Sequence, residues 1–347
     1  MRNTADAPSE TPGAPRGPRS WKPVARGTAL LGLALVSVAL LGPRARVDEA
    51  RVREVEIPSD VESYLSRRES AVPELRDGDE KSVVWADPAR REVTDVALVY
   101  IHGFSADRHE ISPVAERVAD SLGADLFLTR LSGHGQTSAA MGEATAEDWL
   151  QDTEEALDVA GRLGREIVVI GTSTGGTLAL WAAGRERWRE RLAAVVVISP
   201  NFGPRNRQAE MLLWPWGGAL ARVVQGPERC FEPVNAEQAR HWTTCYPTRA
   251  LVQMMALVEH VRSSDLARVR APVLLLYSPA DAVVDARATE RLFPRLGSGR
   301  RELVALESED PSHHVIAGDI ISPGSTDRAV AEILRFLRSL PLADTVR

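Results

Sequence analysis

Six apolar residues, Val96 to Ile101, run without a break from Asp95 to the turn at His102, and such a run predicts a strand buried on both faces of a parallel sheet. Further along, Trp149, Leu150, Thr153, Ala156, Leu157 and Ala160 recur at helical spacing and predict a helix over 146–163. The two patterns keep alternating. Strands are expected over 166–171, 193–199, 271–277 and 302–306, with a helix from Gly175 and a terminal one over 326–340. Before the long helix come a lead-in strand over 82–85, a helix from Ser112 and a short strand from Asp125. Alternation of this kind implies an α/β fold with a doubly wound, mostly parallel sheet.

The alternation stops between Ser199 and Leu266. That stretch carries Met211, Trp214, Trp216, Trp242, Met254 and Met255 among prolines and glycines, and reads as a cap inserted over about 202–268. An insertion after a parallel strand sits over the carboxyl ends of the sheet, where such folds bind ligands. No internal repeat is visible.

The N-terminal part has a different pattern. Residues 1–27 form a polar, basic leader expected to be disordered. Residues 28–42 are uncharged and apolar, flanked by Arg26 on one side and by Arg44 and Arg46 on the other. The run is shorter than the roughly 20 residues that span a bilayer comfortably, and it has the length of a signal-peptide core. No small-x-small cleavage site follows it in Leu40-Leu41-Gly42-Pro43-Arg44, so an uncleaved signal anchor is the expectation; cleavage would instead give a secreted protein. Basic residues on both flanks leave the positive-inside count undecided, and an extracytoplasmic catalytic domain rests on the likeness to signal anchors. Residues 43–80 read as a linker, and the globular domain as 81–343.

The net charge is -6 for 347 residues. Residues 1–53 hold nine basic and four acidic residues, so the remainder carries -11, which offers nothing to a nucleic acid. Cys230 and Cys245 are too few for a disulfide scaffold or a four-cysteine zinc site, which leaves two free thiols or one bridge. No metal, cofactor or obligate protein partner is expected.

Gly171-Thr172-Ser173-Thr174-Gly175 fits G-x-S-x-G and falls between a predicted strand and a predicted helix. The bare pattern is weak; its placement gives it weight. The turn is so tight that side chains beside the serine would collide with strand or helix, which explains the small neighbours. A serine hydroxyl needs a base, and the base needs an acid to orient its ring. Asp281, in the loop after strand 271–277, is the expected acid. Asp285 reads as the start of the next helix, where a carboxylate caps free amides. The loop after the last strand holds His313 and His314, one of which is the expected base. His102, His134, His109, His241 and His260 read as structural.

With His102-Gly103-Phe104, Arg130-Leu131-Ser132-Gly133-His134-Gly135, the Ser173 elbow, Asp281 and His314, the chain resembles the α/β-hydrolases of the carboxylesterase and monoacylglycerol lipase type over about 92–340. The resemblance implies that fold and carboxylic ester hydrolysis through an acyl-enzyme. It selects His314, which precedes Val315-Ile316, and it implies an oxyanion hole made by the backbone amides of Phe104 and Thr174. Thr172, Thr174 and Ser132 depart from common family residues and weaken any transfer of substrate preference. A small-molecule or lipid ester is the expected partner, with the membrane as a second through residues 28–42. The alternatives are a monoacylglycerol lipase or lysophospholipase, or, outside catalysis, a silent binding protein on the same fold.

Overall fold

The computed structural model describes residues 37, 38 and 40–342. It divides into two units, Met1–Pro43 and Arg44–Arg347. In the first, the Leu41 amide donates to the Ser37 carbonyl at 2.8 Å. The rest of the segment 28–42, and the leader before it, lie outside the described residues. Among the described residues no helix is long and apolar enough to cross a membrane.

The second unit is built on a seven-stranded sheet. In chain order the strands are β1 (Ser82–Val84), β2 (Thr94–Ile101), β3 (Asp125–Leu128), β4 (Gly164–Thr172) and β5 (Leu192–Ile198). After a hairpin of β6 (Glu228–Cys230) and β7 (Cys245–Pro247) come β8 (Val273–Tyr277) and β9 (Arg301–Ala305). The sheet order is β1-β3-β2-β4-β5-β8-β9, parallel except for the β1–β3 pair. The expected doubly wound sheet is present.

Side chains of a strand point alternately to the two faces, so a continuous apolar run feeds two cores at once. Ala97, Val99 and Ile101 of β2 enter one cluster and Val96, Leu98 and Tyr100 the other. The helices divide in the same way. In chain order they are α1 (Val61–Ser70), α2 (Val114–Leu122), α3 (Ser138–Glu143), α4 (Ala146–Leu163) and α5 (Thr174–Ala183). They continue with α6 (Gly217–Gln225), α7 (Ala236–His241), α8 (Thr248–Arg262), α9 (Ala286–Leu292) and α10 (Pro323–Arg338). Trp149 and Leu157 of α4, Leu178 of α5 and Leu257 of α8 pack on the first face; Val118 of α2 and Phe336 of α10 pack on the second. α4 starts with a capping box in which Thr145 and Asp148 satisfy each other's amides.

Residues 43–80 are not a free linker. Val52, Ile57, Val61 and Leu65 are buried in the first core. The Val55 amide donates to Asp158 at 2.8 Å, and Glu69 forms a two-pronged pair with Arg130 at 2.8 and 3.0 Å. The apolar residues here are few and sit at irregular spacing between charges, which is why the pattern reads as a linker, although Glu69 and Asp79 are buried and paired.

The insertion between β5 and β8 contains α6, α7 and α8 and the β6–β7 hairpin, whose ladder pairs Cys230 with Cys245. The two cysteines are bridged. Its aromatic residues part company: Trp242 is buried, whereas Trp214 and Trp216 are exposed.

Candidate active site

The chain runs from β2 outward to β3, then returns across β2 to β4 and on to β5, so the direction reverses between β2 and β4. At such a switch point the loops leaving the two strands diverge and open a crevice at their carboxyl ends. Ser173 follows β4 there, and His102-Gly103-Phe104 follows β2.

Ser173 takes φ 52° and ψ -115°, a left-side conformation rare for a side-chain-bearing residue, held by an amide donated to Ile198 at 2.8 Å. The elbow glycines are steric necessities. A Cβ on Gly175 would lie 2.1 Å from the Ile101 carbonyl oxygen, and one on Gly171 would lie 2.4 Å from that of Gly175. Asn201 braces the turn from β5's end: its amide donates to the Ser173 carbonyl at 3.1 Å, and its carbonyl accepts from Thr177 at 2.7 Å.

Three residues predicted from the sequence meet. His314 Nε2 lies 3.0 Å from Ser173 Oγ, and His314 Nδ1 lies 2.8 Å from Asp281 Oδ2. The second oxygen of Asp281 accepts the Val283 and Val284 amides, each at 2.8 Å, which fixes the carboxylate plane. Burial opposes charge on His314, but the Asp281 hydrogen bond and charge, with Glu110 and Asp310 farther off, prevail and raise its pKa above the ordinary imidazole value. His313 does not share the cluster's contacts; it has φ 54° and donates its amide to Asp310. Asp285 caps α9 through the Arg287 amide at 3.1 Å and pairs with Arg291.

Thr174 follows the serine directly, and Phe104 lies in the loop after β2. Thr174 is the first residue of α5, whose leading amides have no partner inside the helix. Among the described residues no group accepts from either the Phe104 or the Thr174 amide. The Phe104 ring is held edge-on by Trp149 at 5.9 Å and by Tyr246 of β7 at 5.1 Å.

Several supporting residues carry no sequence motif. Asp310 accepts the His314 amide at 2.8 Å, the Val315 amide at 2.9 Å and the Ser312 amide at 3.0 Å, shaping the loop that presents His314. Asp-Pro-Ser before the histidines is a turn signature that points to this role. Glu110 is fully buried and accepts the Gly103 amide at 2.6 Å. Lys81, also buried, pairs with Asp152 at 2.9 Å and with Glu155, and Asp152 accepts the Ser132 amide at 2.6 Å. Nothing in residue spacing marks Lys81, whose partners lie 71 and 74 positions away; Glu110 bonds within its own loop and to Tyr100 but belongs to no motif. His102 accepts the Leu131 amide at 3.1 Å, and burial lowers its pKa; burial likewise takes His134 down to about 3. His102 ties the loops after β2 and β3, and His134, bonded to the Ser132 carbonyl within its own loop, packs its ring against His102 at 5.1 Å.

The family model described as Hydrolase_4, serine aminopeptidase S33, matches residues 93–309. A thermostable monoacylglycerol lipase of Bacillus sp. (strain H-257) is 28% identical over 245 residues, 71% of this chain and 93% of that protein. A structure from work on LipS and LipT, two metagenome-derived lipolytic enzymes, superposes with TM-score 0.62 at 24% identity, covering 76% of this chain and 99% of its own. A soluble variant of monoglyceride lipase from Saccharomyces cerevisiae, in complex with a substrate analogue, gives TM-score 0.57 at 14% identity, covering 75% and 91%. At these identities the two structures share the fold with this chain.

Proposed function

Because the chain belongs to the Hydrolase_4, serine aminopeptidase S33, family and has the α/β-hydrolase fold, we propose that this hydrolase cleaves carboxylic esters through an acyl-enzyme on Ser173. The observation that carries the reading is the contact chain Ser173–His314–Asp281, at 3.0 and 2.8 Å, on a serine held at φ 52°.

In the proposed cycle His314 Nε2 takes the Ser173 proton as Oγ attacks the ester carbonyl, and Asp281 stabilises the imidazolium that results. The amides of Phe104 and Thr174 receive the oxyanion, a contribution typically worth a few kcal/mol of barrier. His314 then returns the proton to the leaving alcohol, and water, activated in the same way, releases the acid.

The monoacylglycerol lipase relative supports a glyceride-like substrate with an apolar acyl chain. Met254, whose sulfur lies 3.1 Å from Asn201 Nδ2, brings an apolar side chain from α8 to the elbow. Exposed Trp214, Leu220, Val223 and Val224 support work at a lipid surface, with the apolar segment 28–42 as anchor.

The test is turnover of 1-monoacylglycerols and p-nitrophenyl esters of increasing chain length, beside an aminoacyl p-nitroanilide. Ser173→Ala is expected to lower ester turnover by about 10⁴-fold or more. Retained ester turnover in that variant sinks the acyl-enzyme reading, and turnover of the anilide alone replaces it with a peptidase.

A further inference from the structure

Two histidines that the triad leaves aside, His109 and His241, converge with Asp79 and Asp107 on one point, their donor atoms all within 4.8 Å of one another. They come from three separate segments: the turn before β1, the loop after β2, and the end of α7 in the insertion. His241 Nδ1 lies 2.9 Å from Asp107 Oδ2 and 3.9 Å from Asp79 Oδ1. His109 Nδ1 lies 3.1 Å from Asp107 Oδ1 and 3.6 Å from the same Asp79 oxygen. The two imidazoles lie against each other with centroids 4.3 Å apart.

We propose that these four side chains form a structural zinc site that fastens the insertion to the loop carrying Phe104. A tetrahedral zinc with bonds of about 2.0–2.1 Å needs ligand atoms about 3.3 Å apart; the separations start at 2.9 Å and none exceeds 4.8 Å, so the ion fits once the wider pairs draw in by side-chain rotation. Two imidazoles with two carboxylates suit zinc, whereas magnesium wants six oxygens and keeps its waters. Both carboxylates are buried, and with two neutral imidazoles they cancel a divalent charge. The outer surroundings suit ligands. Arg76 Nε holds the other oxygen of Asp79 at 2.8 Å, and Glu237 stands 3.8 Å from the far nitrogen of His241. Arg76 Nη2, 3.7 Å from Asp107 Oδ2, is the competing cation at the rim.

The location gives the ion its role. Asp107 and His109 follow Phe104 in one loop, the Thr243 amide donates to the Ser105 carbonyl at 2.7 Å, and Trp242 packs with Ala106 and Val315 beside the base. A tie at His241 therefore holds the insertion against both the oxyanion loop and the base loop. None of the four ligands contacts the triad, so the proposal stands whatever the substrate.

The test uses the untagged full chain, stripped with EDTA, dialysed and titrated with zinc chloride. One zinc per chain is expected by elemental analysis, with a Tm rise of about 5 °C at a hundredfold excess over Kd and slower amide exchange over 236–243. His109→Ala and His241→Ala should each weaken binding by about 100-fold or more, while His260→Ala, outside the cluster, leaves it unchanged; both test variants keep the buried carboxylates, so they fold where Asp107→Asn fails to. Less than half an equivalent of zinc, binding in either histidine variant as tight as in the native chain, or an equal Tm rise with magnesium overturns the proposal.

Discussion

The Asp310→Asn substitution tests whether the base loop is held by one carboxylate. In the native protein Oδ2 accepts the His314 and Val315 amides at 2.8 and 2.9 Å, and Oδ1 accepts the Ser312 amide at 3.0 Å. An asparagine has one acceptor oxygen. Turned either way, its amino group faces at least one N–H donor in a buried place, and the bonds it keeps lose their charge assistance. One unsatisfied donor and two weakened bonds cost about 3 kcal/mol together. For a domain of this size that lowers Tm by about 6 °C, read by calorimetry. Loosening the loop also displaces His314 from Ser173, and kcat should fall about 10- to 100-fold with KM little changed. The pH dependence has a definite sign. Burial raises the Asp310 carboxyl, but the Ser312 hydroxyl and the three amides outweigh it and lower its pKa below the ordinary value. A lowered pKa contributes stability above the unfolded-state value, about 3.9, that is lost as pH falls through the folded one. The Tm gap between native protein and variant should therefore be full at pH 7 and close below about pH 4. An undiminished gap at pH 3 refutes the carboxylate argument, and full kcat alongside the lost Tm refutes the positioning argument.

Two further outcomes follow from the same geometry. Lys81→Met leaves Asp152 and Glu155 buried without their cation and should cost about 3–5 kcal/mol, seen as a Tm fall of about 6–10 °C; a fall under 2 °C would show that Arg68 or water compensates. His314 must be neutral to accept a proton, so its raised pKa places the acid limb of kcat/KM above the ordinary imidazole value near 6.5. Asp281→Asn should move that limb down and lower kcat by about 10⁴-fold, and a limb that stays put would assign it to another group.

What the sequence discloses divides along a physical line. Strands β2, β4, β5 and β8 are legible because a strand buried on both faces must be apolar throughout. Ser173 is legible because the elbow imposes glycines on its own neighbours, a local demand that leaves a local mark. Asp281 and His314 sit in the loops after β8 and β9 because the carboxyl ends of the sheet are where the crevice lies. The bracing residues obey no such rule. Glu69 meets Arg130 and Lys81 meets Asp152 across some sixty to seventy positions of chain, and their identity as charged residues argues for the surface until the fold buries them in pairs.

The same distinction explains why 43–80 reads as a linker although it is part of the core. Its Glu69 pairs with Arg130 and accepts the Lys81 amide, and Lys81 pairs with Asp152, which accepts the Ser132 amide, so it stabilises the loop whose Leu131 amide is tied to His102. His102 begins the loop that offers the Phe104 amide, while Trp242 and Thr243 press on that loop from the insertion. The segment that reads as a linker and the insertion that reads as a cap thus both brace the loop carrying Phe104, where the proposed mechanism is most sensitive to misplacement of an amide. The proposed chemistry rests on one strained serine; its precision depends on residues whose partners are visible only in the folded chain.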